Sequence, residues 1–426
     1  MPTEAQKDAH AKYRKKSVKQ VNVPFYPKDQ FMYDFVSSQD NKAGYIKGLI
    51  ERDMLECGAH PGANAVEAIR GVSLFTGAGG MDCGFHETGI KTVFANEIDK
   101  DAAATFMANA KYLDSSSMHV GDIGDFMSDI RSLSDIDVVF GGPPCQGFSV
   151  AGKMNPDDER SQLVWTFMDV VELLRPRLFV MENVKALGVL AKWKSVREGL
   201  ADKAKALGYA TCPMVLNASD YGVPQARERF FLVGVKGADE GVLEHTISAK
   251  LSGLRCEAPS VREAFSSIPA YGKPGNRDGS VAEIRLAKHP VLRSSPYRGS
   301  LLFNGRGRPV DLDCVAKTLP AQMGGNHTPI IDQALLDNSE ADSWVSSYHA
   351  ALLSGNTDPE SEQGNIPGHL RRMTVREAAV LQGFPSDYVF KGQIGKQYRQ
   401  IGNAVPCGLA KAVAMASVHT MKELAG

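Results

Sequence analysis

The chain has 426 residues, 43% of them hydrophobic and 23% charged, with a formal charge of −1. This balance excludes a disordered or fibrous protein and leaves room for about two or three domains. The near-zero charge excludes a uniformly basic surface, so any nucleic-acid contact has to come from local clusters.

Seven cysteines, at positions 57, 83, 145, 212, 256, 314 and 407, lack the paired short spacing of a zinc site or a disulfide framework. Reduced thiols and no metal are expected. No run approaches the roughly 18 uninterrupted apolar residues of a membrane span, and the polar N-terminus has no signal-peptide core, which implies a cytoplasmic protein.

In chain order, residues 1–69 read as a separate extension. Lys12, Arg14, Lys15, Lys16 and Lys19 form a basic arm, whose simplest role is a solvated tail. Val21, Val23 and Phe25 alternate with polar residues as in a strand with one apolar face. Helices are predicted from Pro27 and from about Asn41, the second with Tyr45, Ile46, Leu49 and Ile50 on one stripe.

From residue 70 to 235, short apolar runs alternate with helical segments, the pattern of a parallel sheet covered on both faces. Strands are predicted at Val72–Phe75, Thr92–Asn96, Asp137–Phe140, Leu178–Glu182 and Phe230–Val235, with helices over Asp101–Ala110 and Gln162–Leu174 between them. Residues 236–368 are rich in Gly, Pro, Ser, Asn and Arg and predict a smaller, irregular domain. Helical periodicity returns in 369–426, where Gly408–Leu424 is expected to pack back on the first domain.

Phe75-Thr76-Gly77-Ala78-Gly79-Gly80 turns from the first strand into a helix, where glycines allow backbone to approach a ligand closely. Glu97 follows Gly77 at the distance from which a carboxylate receives ribose hydroxyls, pointing to an adenosine-type ligand. Asp122, before Ile123, suits the adenine amino group, and Ile98 suits its ring. Gly142-Pro143-Pro144-Cys145-Gln146-Gly147-Phe148-Ser149 leaves the end of a strand, where open α/β sheets hold ligands, and the prolines restrain Cys145 there.

Together Phe75-x-Gly77-x-Gly79-Gly80, Pro144-Cys145-Gln146, Glu182-Asn183-Val184, Gln225-x-Arg227-x-Arg229 and Gly402-Asn403-x-Val405-Pro406 resemble the ordered motif set of the bacterial DNA (cytosine-5)-methyltransferases, over residues 70–426. The resemblance implies an α/β, Rossmann-like S-adenosylmethionine-dependent methyltransferase domain with a smaller, irregular target-recognition domain. It implies that Pro143, Asn403 and Val405 join Phe75, Gly77, Gly79, Gly80, Glu97, Ile98, Asp122 and Ile123 around S-adenosylmethionine. Cys145 would be the nucleophile, Glu182 the buried acid at the base, Arg229 a contact to the cytosine carbonyl, and Arg227 a support for Glu182 or a phosphate. These types suit the chemistry: carbon-5 of cytosine is a poor nucleophile until a thiolate adds to carbon-6, and a carboxyl raised by burial eases that addition at nitrogen-3.

Methylation inside duplex DNA requires the base to be flipped out. Gln146, Ser149, Lys153 and Arg160 are candidates for a loop that closes over the DNA. Residues 236–368 resemble the family's target-recognition domain at Ala316-Lys317-Thr318-Leu319, with Arg306, Arg308, Lys317, Thr318, Leu319 and Asn326 as candidate DNA contacts. The expected partner is double-stranded DNA, in a restriction–modification system with a cognate endonuclease or as a solitary methylase. Val18 to Leu55 resembles a ribbon-helix-helix module, implying a homodimer through the extension; a helical cap on the catalytic domain is the alternative. A transfer-RNA cytosine-5 methyltransferase and a DNA-binding regulator with a retired site remain the rival readings.

Overall fold

The structure, a computed structural model, describes residues 30–38, 42, 46, 68–144 and 162–424. The predicted strand through Val21, Val23 and Phe25 lies outside them, as do Cys145, Gln146, Ser149, Lys153 and Arg160. The chain divides into two units, Met1–Ala63 and Asn64–Gly426. In the first, helix α1 spans Gln30–Ser37, with Gln30 Nε2 donating to Asp34 Oδ1 at 2.8 Å one turn on.

The second unit is built on a seven-stranded sheet. Its strands are β1 (Ile69–Leu74), β2 (Ile90–Glu97), β3 (Met118–Val120), β4 (Val138–Gly141), β5 (Leu178–Val184), β6 (Tyr209–Asn217) and β8 (Glu228–Lys236), in the order β3-β2-β1-β4-β5-β8-β6. The first five in that order are parallel, but β8 runs antiparallel to both β5 and β6. The wholly parallel sheet expected from the alternation is thereby corrected to a mixed one. The segment from Ala218 to Arg227 returns β6 directly into β8 without a crossover helix, and such a return makes antiparallel neighbours. The edge strand β6, not predicted, carries Pro213 on an exposed position, where a missing N–H costs the ladder little.

Strand residues alternate between two apolar layers because both faces are covered. Val138 and Phe140 of β4 and Leu178 and Val180 of β5 enter one core with Phe85 and the C-terminal helix Cys407–Leu424. Val139, Phe179 and Met181 enter the other, with the helices Leu163–Leu174 and Lys194–Ala206. The apolar C-terminal helix follows from this burial: Leu409, Val413 and Met421 are wholly enclosed, and each such side chain contributes roughly 1.5–3 kcal/mol. It lies so close to helix α2 (Gly80–His86) that a Cβ on Gly84 would stand 2.4 Å from the Lys411 nitrogen, so Gly84→Val would break this contact.

Residues 236–368 open on a 14-residue helix, Glu240–Gly253, whose Leu243, Ile247 and Leu251 join the first core, and continue in shorter elements. Strands β9 (Leu286–Val291) and β10 (Leu301–Phe303) pair antiparallel, as do β12 (Ile330–Asp332) and β13 (Leu370–Arg372), around a small core of Leu286, Leu302, Phe303, Val345 and Tyr348. Two two-residue strands tie this region to the sheet: β7 (Gln225–Ala226) pairs parallel with β11 (Ala316–Lys317).

Candidate active site

The carboxyl ends of β1, β2, β4 and β5 open into one cavity of about 1280 Å³, closed on the far side by residues 318–322 and by the turn after the helix Ile394–Asn403. One half is shaped around the glycine turn. Phe75 leaves β1 with φ 56°, a left-handed conformation costly for an aromatic residue, and Gly77 and Gly79 continue at φ 56° and 84°. Glu97, at the end of β2, locks this turn: Oε2 accepts the Gly77 N–H at 2.7 Å and Oε1 the Asp99 N–H at 2.8 Å. Burial pushes its carboxyl above the ordinary value, and those two N–H donors pull it back.

The residues here fit an adenosine ligand. Each Glu97 oxygen keeps a lone pair beyond its backbone bond, and a Cβ on Gly77 would meet nothing within 4 Å, so the turn is open to the cavity. Ile98 is 63% exposed at the rim, and Asp122 Oδ1 accepts the Gly124 N–H at 2.8 Å while its side chain stays exposed. Ile123, Pro143, Asn403 and Val405 also line the cavity.

Gly79 and Gly80 do not line it; packing demands them. A Cβ on Gly79 would come within 2.6 Å of Leu113 and 2.9 Å of the Tyr388 hydroxyl, and one on Gly80 within 2.5 Å of the Val405 carbonyl.

The other half centres on Glu182, near the end of β5. It is 8% exposed, and Arg229 Nε on the neighbouring β8 stands 2.9 Å from its Oε1. Burial raises the Glu182 carboxyl, and Arg229 and then Arg227 oppose that rise. The motif by itself assigns no role to the adjacent Asn183. Its Nδ2 donates to the Pro143 carbonyl at 3.2 Å, tying the strand to the Pro143-Pro144 segment, and Pro144, the residue before Cys145, lines the cavity. Gly141 and Gly142 are needed upstream, because Cβ atoms there would stand 2.1 Å from the Leu74 carbonyl and 2.8 Å from Glu182 Oε2.

Arg227 is 1% exposed and donates to the Leu319 carbonyl at 2.9 Å and the Gly402 carbonyl at 2.6 Å. It borders the cavity with its guanidinium turned to these carbonyls, and its charge also acts on Glu182. Gln225 works alongside it, its Oε1 accepting the Leu319 N–H at 2.8 Å and its Nε2 donating to the Leu381 carbonyl at 3.1 Å.

Residues of the 236–368 segment reach the cavity through the same joint. Thr318 Oγ1 donates to the Ala226 carbonyl at 2.8 Å, and Arg306, Thr318 and Leu319 line the cavity, Leu319 as a buried wall. Arg308, Lys317 and Asn326 are exposed outside its lining. Sequence reasoning missed Gln322, His327, Lys396 and Arg399, which do line it. Arg399 had a signal: it precedes Asn403 by one helical turn and so shares its face. Lys396 is drawn to Asp99, 3.4 Å away.

Residues 69–419 match the model of the C-5 cytosine-specific DNA methylase family. The chain is 31% identical to Type II methyltransferase M.DdeI of Desulfomicrobium norvegicum, covering 80% of this chain and 87% of that one. It is also 31% identical to Type II methyltransferase M1.HphI of Haemophilus parahaemolyticus, covering 81% and 85%. Among solved structures, the S. pombe Dnmt2 methyltransferase shares the fold at a TM-score of 0.53 and 18% identity, over 84% of this chain and 99% of that one. The matched family, the glycine turn held by Glu97 and the buried Glu182 at the end of β5 agree, and this chain belongs to the C-5 cytosine-specific DNA methylases, enzymes that methylate DNA cytosine at carbon-5 from S-adenosylmethionine.

Proposed function

We propose that this enzyme methylates a flipped-out cytosine within a specific duplex DNA site, with Cys145 as nucleophile, Glu182 as acid and Arg229 as the contact to the base carbonyl. The observation that carries the reading is the junction of Glu182 and Asn183. One side chain is a buried carboxyl held by Arg229, and the next grips the segment that leads into Cys145.

The Cys145 thiolate adds to carbon-6 while Glu182 hydrogen-bonds nitrogen-3, so negative charge that builds in the ring is met by a carboxyl biased toward its protonated form. Arg229 holds Glu182 in place and offers its remaining N–H groups to the carbonyl oxygen. The bound cofactor supplies an electrophilic methyl group on a sulfonium. Once carbon-5 carries that methyl, its proton leaves to solvent, the carbon–sulfur bond to Cys145 breaks, and the aromatic ring is restored.

Arg306, Thr318, Gln322, His327 and Arg399 surround the mouth of the cavity with groups that can grip the strand beside the extruded base. Gln146, Ser149, Lys153 and Arg160 belong to the loop that fills the vacated space. The Type II relatives support a place in restriction–modification, with an endonuclease cutting the same site, and the basic extension suits a second DNA contact or a dimer.

The test is covalent trapping. Duplex DNA bearing 5-fluorocytosine at the methylated site, with S-adenosylmethionine present, should form a stable adduct with the wild type and none with Cys145→Ser. Turnover by Cys145→Ser would overturn the assignment. Methyl incorporation into transfer RNA but not duplex DNA would favour the RNA substrate instead.

A further inference from the structure

Two polar side chains of the cofactor cavity are left over once Glu97 and Glu182 have their tasks. Ser73 on β1 and Asp82 in the first turn of α2 are 1% and 2% exposed, and both line the cavity. Ser73 Oγ and both Asp82 carboxylate oxygens are buried without a hydrogen-bond partner in the protein. The hydroxyl stands beside the carboxyl and eases its ionisation, but the two do not meet in hydrogen-bonding geometry. Burial is the largest influence on Asp82 and pushes it up to about 7. Ser73 and the Asp82 backbone N–H oppose that rise and Asp114 and Glu97 add to it, so no lysine or arginine is among the groups that act on this carboxyl.

A buried carboxyl with neither oxygen satisfied is unfavourable in the empty protein and is expected only where something else completes it. The missing partner is a cation or a hydrogen-bond donor that enters the cavity. S-adenosylmethionine carries two positive centres. The sulfonium has to face the cytosine half, beside Glu182 and Pro144, because its methyl is delivered to carbon-5. Glu97 belongs to the ribose. That leaves the α-ammonium of the methionine portion without an acid, and Asp82 without a base, in the same cavity.

We propose that Asp82, with Ser73 beside it, receives the α-ammonium of the cofactor's methionine portion and so positions the sulfonium for transfer. The proposal rests on the cofactor assignment and adds a residue to it. Asp82 is here a positioning residue for the reaction, since it grips the donor away from the group transferred. Three ligands separate this role from a structural one: S-adenosylhomocysteine, its des-amino analogue that keeps the carboxylate, and 5′-methylthioadenosine, which lacks the whole amino-acid portion.

Affinities would be measured by titration calorimetry on the full chain, without DNA. A charge-assisted hydrogen bond predicts that wild type prefers S-adenosylhomocysteine over the des-amino analogue by about 10- to 100-fold. Asp82→Asn should lose most of that preference. Its affinity for 5′-methylthioadenosine should stay within about threefold of wild type. Ser73→Ala should give a smaller loss with the same ligand dependence. Equal weakening of all three ligands by Asp82→Asn would assign the carboxyl to packing and overturn the proposal. If that variant does not fold, the wild type still decides, because equal affinity for S-adenosylhomocysteine and the des-amino analogue would overturn it too. Binding of 5′-methylthioadenosine by the wild type reports the adenosine site separately, so failure of the cofactor assignment would be recognised as such.

Discussion

Arg229 Nε lies 2.9 Å from Glu182 Oε1 across two antiparallel strands, with both side chains almost enclosed. An enclosed carboxyl left alone would hold its proton strongly, and one paired with a close guanidinium would give it up. Here burial outweighs the two arginines and the carboxyl stays above its ordinary value. Glu182→Gln keeps the shape but cannot donate a proton, and should lower kcat for DNA methylation by about 10²- to 10⁴-fold. S-adenosylhomocysteine affinity, measured alongside, should hardly change.

Gly142 tests the same carboxyl from its other side. An added methyl in Gly142→Ala would meet Glu182 Oε2 at 2.8 Å and displace the carboxyl. The expected cost in denaturant unfolding is about 1–3 kcal/mol. The kcat should fall by about tenfold or more, since a misplacement near 1 Å is enough for such a loss. An unchanged kcat would mean that Glu182 has freedom to move away.

Arg227 should behave as a structural tie. Removing a buried guanidinium that serves the Leu319 and Gly402 carbonyls leaves two acceptors unsatisfied, and Arg227→Ala should destabilise the protein by about 3–5 kcal/mol. For the uncharged Arg227→Gln, the salt dependence of DNA binding is the informative measurement. A phosphate contact would reduce the log–log slope by about 0.9, and the buried position predicts no reduction.

Asp82 predicts an unusual pH dependence. Its folded value, about 7, lies above the ordinary value of 3.8. Between those values the folded state binds more protons than the unfolded one, so stability from this group is fully present below the lower value. It falls by about 1.4 kcal/mol per pH unit until the upper value is passed. Asp82→Asn cannot ionise and escapes this loss. Without cofactor, the stability of the variant relative to wild type should rise by roughly 2–3 kcal/mol from about pH 5 to about pH 8 in urea unfolding. A constant difference would show that Asp82 titrates normally.

Much of the site was legible in the sequence because its constraints are local. A glycine turn after a strand and a carboxylate at the end of the next each depend on neighbours within a few residues or one βα unit. The alternation in Val138, Val139 and Phe140 likewise announces a strand buried on both faces. The direction of β8 was not legible, because an apolar run looks the same in either direction and only its pairing with β6 sets it.

What the chain alone determined is the inventory of chemical groups and the local turns that carry them. Only the tertiary structure decided what each group does. Arg227 and Arg229 stand two residues apart in one motif, yet one ties carbonyls 92 and 175 residues away while the other holds an acid on the adjoining strand. Asp82 reads as an ordinary acid in a helix's first turn, and the fold makes it a buried, unpartnered carboxyl beside Ser73 of β1. Burial and partnership are set by segments distant along the chain, and those two quantities govern whether an ionisable side chain supports, binds or reacts.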